Sequence, residues 1–240
     1  MGKTESIIFR SKRRVNKVEH FHINSMGQTL VGQNSVKYLG VCIDQHVSGE
    51  AIANNIIQKS NSKLKFLYRQ ASCLNQNCRK ILCSALIQCH FDYAASAWYS
   101  GLSKNLKNRS QTTQNKMARF ILNLGPRAHV DQELLSTLKC LNVESRVKFL
   151  KLCHVQKILN NNSASYLKEH FTQTSTFHRY NTRGSAFNFS VPKIKSHADS
   201  TFYFSAIREW NKLPENIKCI KSLHGFKSAI RKYLSNGDFQ

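Results

Sequence analysis

Acidic residues are scarce. Of 240 residues, 13 are Asp or Glu against 36 Lys or Arg, and the formal charge of +23 points to a polyanionic partner before any motif is read. The five aspartates, Asp44, Asp92, Asp131, Asp199 and Asp238, stand apart. The closest carboxylates along the chain, Asp131 and Glu133, read as a helix N-cap and a first-turn residue that complements the helix dipole. No two-metal phosphoryl-transfer site built on neighbouring carboxylates is visible. Glycine and proline are also few, at 10 and 3, and there is no Gly-rich phosphate loop, no Gly-x-Ser-x-Gly elbow and no His-Glu-x-x-His helix.

Long apolar runs are missing as well. No stretch of about 18 apolar residues exists and the N-terminus lacks a secretory core, so the expectation is an intracellular, soluble protein that does not enter a membrane. The eight cysteines never form Cys-x-x-Cys, which leaves a zinc ribbon or thioredoxin-type site without support. They are read as reduced core residues. Cys73, Cys78, Cys83 and Cys89, with His90, are spaced by five and six residues, which rotates successive ligands around a helix, and no metal is expected there. What is present is ample apolar material, 41% of residues, enough for one large core or two small ones.

Patterning divides the chain into three. Residues 1–48 read as strand and turn: Glu5-Ser-Ile-Ile-Phe9 is β-prone, Ser11-Lys-Arg-Arg-Val-Asn-Lys17 is a charged loop, Met26-Gly27-Gln28 supplies a hairpin turn, and Val36 to Ile43 is the strongest strand, together forming a small antiparallel sheet. Residues 49–162 turn helical. On residues 50 to 71, Ile52, Ile56, Leu64, Leu67 and Ala71 share an apolar arc, Lys65 and Arg69 point away from it, and Lys59 and Lys63 line its margin. Such a helix can pack on one side and face phosphates on the other, or simply present a solvated basic face.

Residues 78 to 99 are apolar nearly all round and predict a buried helix broken near His90-Phe-Asp-Tyr93, with Asp92 satisfying backbone donors at the break. A helix capped by Ser103 runs to about Leu124 and carries Lys104, Lys107, Arg109, Lys116 and Arg119 without an acidic partner. Two more helices are predicted at 131 to 139 and 143 to 160. The polar run from Asn160 to Ser163 marks a boundary, after which residues 163–240 form a small α+β domain. In it Phe187, Phe189 and Val191 alternate as in a half-buried strand closed by Pro192. Tyr203, Ala206, Ile207 and Trp210 define a short helix, and Leu223, Phe226, Ile230 and Tyr233 define a last one. The aromatics Phe177, Tyr180, Phe187 and Trp210 read as core in preference to base-stacking platforms.

In order along the chain, Lys3-Thr-Glu-Ser-Ile-Ile-Phe9, Tyr38-Leu-Gly-Val41, His90-Phe-Asp-Tyr93 with Trp98, Gln114-Asn-Lys-Met-Ala-Arg119, His178-Arg-Tyr-Asn-Thr-Arg183 and Trp210-Asn-Lys-Leu-Pro214 resemble the C-terminal part of the reverse transcriptase of non-LTR (LINE-type) retrotransposons. The resemblance implies that Lys3 and Thr4 match the last palm motif and that Tyr38, Leu39, Gly40 and Val41 match a primer-grip-like strand. It implies a thumb in the helices, with Lys59, Lys63, Lys65, Arg69, Lys116 and Arg119 along a template–primer duplex. The partner would be RNA, DNA or an RNA–DNA hybrid. The fingers and the paired catalytic aspartates would lie upstream of Met1, and Mg²⁺ would serve only the full-length parent family.

The expectation is therefore a mainly α chain with a small antiparallel β-region, not an enzyme on its own, which keeps a non-sequence-specific affinity for nucleic acid. The alternative is a non-functional or domesticated remnant that acts, if at all, as a structural or interaction protein. Met1-Gly-Lys-Thr-Glu-Ser6 fits an N-myristoylation pattern but is already accounted for as the interior of a palm strand. Ser11-Lys-Arg-Arg14 is read as a solvated hairpin loop, with nuclear targeting as the competing reading.

Overall fold

The computed structural model describes residues 4–10, 22–25, 27–160, 163–176, 187–192 and 201–235. Lys3, Met26, the Ser11 to Lys17 loop, Phe177, Tyr180 and the segment from His178 to Arg183 lie outside the described residues.

Short strands come first, then helices. Strand β3 (Gln28–Gln33) sits between β1 (Ser6–Ile7) and β2 (His22–Ser25), antiparallel to β2 and parallel to β1, so this sheet is not wholly antiparallel. Strands β4 (Ser35–Tyr38) and β5 (Val41–Asp44) form a second, antiparallel pair. The expected single strand from Val36 to Ile43 is thus folded back on itself. Leu39 and Gly40 both take positive φ, 46° and 81°, the backbone of a two-residue hairpin whose twist matches the flanking strands. Every residue from Val36 to Ile43 except Gly40 favours strand or tolerates it, so propensity alone conceals the turn.

The link from sheet to helices is held by one carboxylate. Asp44 accepts the N–H groups of His46, Ser48 and Gly49 at 3.0, 3.1 and 3.1 Å and the Ser48 hydroxyl at 3.0 Å. Partial burial pushes its carboxyl up, but the hydrogen bonds from Ser48, His46 and Gly49 pull harder, and the net shift is downward. Gly49, at φ 70°, then starts helix α1 (Glu50–Arg69); a Cβ there would lie 2.6 Å from the Trp98 carbonyl oxygen. Only glycine fits that approach.

Ile52, Ala53, Ile56, Ile57, Leu64 and Leu67 of α1 are buried, as the apolar arc requires. They pack against α5 (Lys104–Leu122) and against a broken run consisting of α2 (Gln76–Cys83), a π-helical turn (Ser84–Gln88) and α3 (Cys89–Asp92). The expected break is there: Tyr93 is extended and Ala94 left-handed before α4 (Ala95–Trp98). The run is not buried all round, however. Cys83, Ile87 and Phe91, four residues apart, face the core while Ile81 and Tyr93 are exposed. Nor does Asp92 serve backbone donors; its carboxylate is taken by Arg146 and by the Gln88 amide. Ser103 caps α5 through the Leu106 N–H, and Asn123, left-handed at φ 56°, ends the helix two residues before Gly125.

Asp131 and Asn142 cap α6 (Gln132–Thr137) and α7 (Val143–Leu159) in the same way. Helix α7 is shared by two cores. Val143 and Val147 belong to the first, and Phe149, Leu152, Cys153, Val155 and Ile158 to a second, completed by α9 (Phe202–Asn211), α10 (Glu215–Lys218) and α11 (Leu223–Ser235). A short α8 (Tyr166–Glu169) precedes them. Trp210 stacks on Phe226 at 5.6 Å and gives its indole N–H to the Phe187 carbonyl, so it is core as expected. Full burial of a side chain such as Phe226 or Ile230 is worth about 1.5–3 kcal/mol. The expected strand at 187 to 191 reduces to a single bridge between Gln173 and Phe189, and Phe187, expected in the core, is exposed like Val191, because its carbonyl and not its ring meets Trp210.

At the joint of the two cores sits Lys151, 4% exposed, donating to the hydroxyls of Ser100 at 2.8 Å and Ser205 at 2.9 Å. The thiols also depart from expectation. All are free; Cys83 and Cys153 are buried, but Cys73, Cys78, Cys89 and Cys219 are exposed, because each falls on a helix or turn face away from either core.

Candidate nucleic-acid interface

Several cations are structural. Arg79 gives its guanidinium to the carbonyls of Phe120 and Ala71 and to the Asn123 amide oxygen, closing the C-terminal end of α5. Lys218 donates to Asn188 and to the Asn211 carbonyl. These side chains are not free to meet a ligand.

Helices α1 and α5 differ in this respect. After Glu50 neither helix contains an acidic residue, while between them they carry Lys59, Lys63, Lys65, Arg69, Lys104, Lys107, Arg109, Lys116 and Arg119. Two cations of α5 are oriented by neutral amides of α1: Arg109 Nη1 donates to Asn54 Oδ1 at 2.9 Å and Lys116 Nζ to Asn61 Oδ1 at 3.4 Å. Both pairs step by seven residues on each helix, so the two helices run parallel and the cations repeat about 10 Å apart. An amide partner directs a cation without cancelling its charge.

The expected site residues are placed as follows. Lys59, Lys65, Arg69 and Lys116 are exposed. Lys65 follows Asn61 by one turn and shares the α5 margin of α1, whereas Lys59 and Lys63 lie on the opposite margin, toward α3. Lys63 is half-buried, with its ammonium 2.8 Å from His90 Nε2. Arg119 donates from Nε to the Ala128 carbonyl at 2.7 Å and so holds the loop after α5. Phe66, 59% exposed, lies beside Lys59 and Lys63; it and His90 and Arg109 were absent from the sequence-derived set. An exposed Phe among cations was a readable signal, while the pairing with His90, 27 residues away, was not.

The residues of the β4–β5 hairpin are brought to one tip. Tyr38 and Leu39 are 64% and 73% exposed, Val41 packs on the first core, and the Tyr93 hydroxyl donates to the Leu39 carbonyl at 2.5 Å with its ring against Gly40. Thr4 is exposed and stands apart from this tip in sequence and sheet. Among the described residues no three His, Cys, Asp or Glu side chains gather in a way that could hold a metal ion, and no helix is long and apolar enough to cross a membrane.

Neither a family model, nor a curated protein, nor a solved structure matches the chain.

Proposed function

We propose that the chain binds nucleic acid through the paired helices α1 and α5, in the manner of the thumb of a LINE-type reverse transcriptase, and that it does not synthesise DNA on its own. The observation that carries this reading is the pair of parallel helices with no acidic residue after Glu50, in which Arg109 and Lys116 are oriented by Asn54 and Asn61. Binding of this kind draws its affinity from phosphate neutralisation, is steeply salt-dependent and is poor in sequence specificity. The partner is RNA, DNA or an RNA–DNA hybrid, since phosphate neutralisation draws on the backbone that all three share. The isolated aspartates give no paired carboxylates for two-metal catalysis. Salt-titrated binding of the monomeric chain to a fluorescent hybrid, with heparin as competitor, tests it. Undetectable binding at low salt removes the proposal.

A second reading, an interaction protein without nucleic-acid function, is favoured by the β-region, where Phe9, Ile23, Val31, Tyr38, Leu39 and Val47 are all exposed. Equal affinity for heparin and hybrid would move the balance to it.

A further inference from the structure

Among the described residues Lys63 has no carboxylate to pair with, and its ammonium lies against Nε2 of His90 at 2.8 Å. For that contact the imidazole must be neutral, with its proton on Nδ1, since Lys can only donate. Lys59 lies one turn before Lys63 on the same margin of α1. Partial burial, and then the charges of Lys63 and Lys59, hold His90 below its ordinary value. Among the described residues no acid offsets them. Asp92, two positions along α3, is turned to α7 and committed to Arg146 and Gln88, and the adjacent Cys89 gives its S–H to the Ala85 carbonyl. Three basic groups therefore converge on one half-buried point, just after the π-helical turn Ser84–Gln88.

We propose that Lys59, Lys63 and His90 form a phosphate-binding subsite on the α3 margin of α1. A phosphate oxygen is a stronger acceptor for the Lys63 ammonium than an imidazole nitrogen, because the bond is charge-assisted from both sides. Displaced from Lys63, Nε2 of His90 can take a proton and become a second donor to the same phosphate, with Lys59 closing from above. The exposed Phe66 ring, one turn beyond Lys63, offers a stacking face beside the phosphate, which favours a nucleic-acid phosphodiester over free phosphate as its source. Only that choice of source rests on the nucleic-acid reading; the subsite itself does not.

The linkage has a definite sign. An anion on His90 favours the imidazolium, so binding takes up a proton and tightens as pH falls. The test follows the ring resonances of His90 in the full chain, identified by their loss in His90→Gln, through a pH titration alone, with inorganic phosphate, and with a short oligothymidylate. The expected result is an upward shift of the His90 pKa by about one unit with oligothymidylate, and oligonucleotide binding about tenfold tighter once pH has fallen below both values. His90→Gln should lose that pH dependence. Should that variant not fold, the titration of the parent decides. No shift with either ligand, or an unchanged pH dependence in a folded His90→Gln, overturns the subsite. A shift with inorganic phosphate alone, with no oligonucleotide binding, upholds the subsite and defeats the nucleic-acid reading.

Discussion

Arg146 holds Asp92 with two parallel bonds, Nε to Oδ1 at 3.0 Å and Nη2 to Oδ2 at 2.8 Å, and so ties the short helix α3 to α7 across 54 residues of chain. Both side chains are about a quarter exposed, and the Gln88 amide donates to the same carboxylate. Loss of the negative charge would strand a guanidinium whose other contact among the described residues is stacking on Phe149, 5.3 Å away. Asp92→Asn should therefore cost about 2 kcal/mol and lower Tm by about 6 °C, and a double-mutant cycle with Arg146→Met should recover part of the loss. Thermal denaturation of the four proteins checks it; a Tm within a degree of the parent for Asp92→Asn would show that the pair contributes nothing.

The hairpin tip makes a prediction of the opposite sign. Leu39 is a γ-branched apolar residue in left-handed conformation and largely in solvent, at a position where Asn-Gly is the preferred sequence. Leu39→Asn should stabilise the chain by roughly 0.5–1 kcal/mol, read as a higher urea midpoint at unchanged slope. If the tip also touches nucleic acid, as a primer-grip-like element would, the same variant will bind more weakly while folding more stably. A variant that is less stable than the parent would mean that Leu39 packs on something that offsets its backbone strain.

The helix ends were legible because their signals are local. Ser103 and Asp131 accept the N–H three residues on, which is the chemistry that made them readable as caps. The apolar arc of α1 was equally plain. What escaped was non-local or opposed to type: the turn at Leu39, where tertiary contact with Tyr93 overrides strand propensity, and the partners of Asp92 and Lys63, which lie 54 and 27 residues away. The basic face was half-legible. Its residues on α1 and α5 could be named, but their division between an α5 margin and an α3 margin depends on which helix packs where.

Lys151 predicts how stability responds to alkali. Burial pushes its ammonium down to about 8, with Glu209 pulling it back up and Lys107, Lys148 and Glu144 also acting on it. The unfolded chain then binds the extra proton between that value and the ordinary lysine value, so stability rises with pH across this window, by up to roughly 3 kcal/mol. The thiols of Cys83, Cys140 and Cys153 are pushed up by burial, full for Cys83 and Cys153 and partial for Cys140, and act the other way once pH passes their unfolded values. The clean quantity is the difference between the parent and Lys151→Met. The variant should be the more stable at pH 7, and most of the gap should close by pH 10. A gap independent of pH would mean that Lys151 stays charged in the fold.

The two margins of α1 can be separated by salt. Each phosphate contact contributes about 0.9 to the slope of log affinity against log salt on duplex, and about 0.7 on a single strand. Lys65 and Lys116 are exposed on the α5 margin, with Lys116 touching only Asn61, so replacing both with Ala should change folding stability by no more than about 0.5 kcal/mol. If hybrid binding runs along this margin, the double variant should lower the slope by about 1.5 and weaken binding most at low salt. The matched control is Lys227→Ala with Lys232→Ala on α11, which removes the same charge from exposed positions of another helix. An interface on α1 and α5 requires the first pair to matter and the second to leave the slope nearly untouched. Equal losses from both pairs would mean that the polyanion sees only net charge, and the ordered row of Asn-directed cations would then have no part in binding.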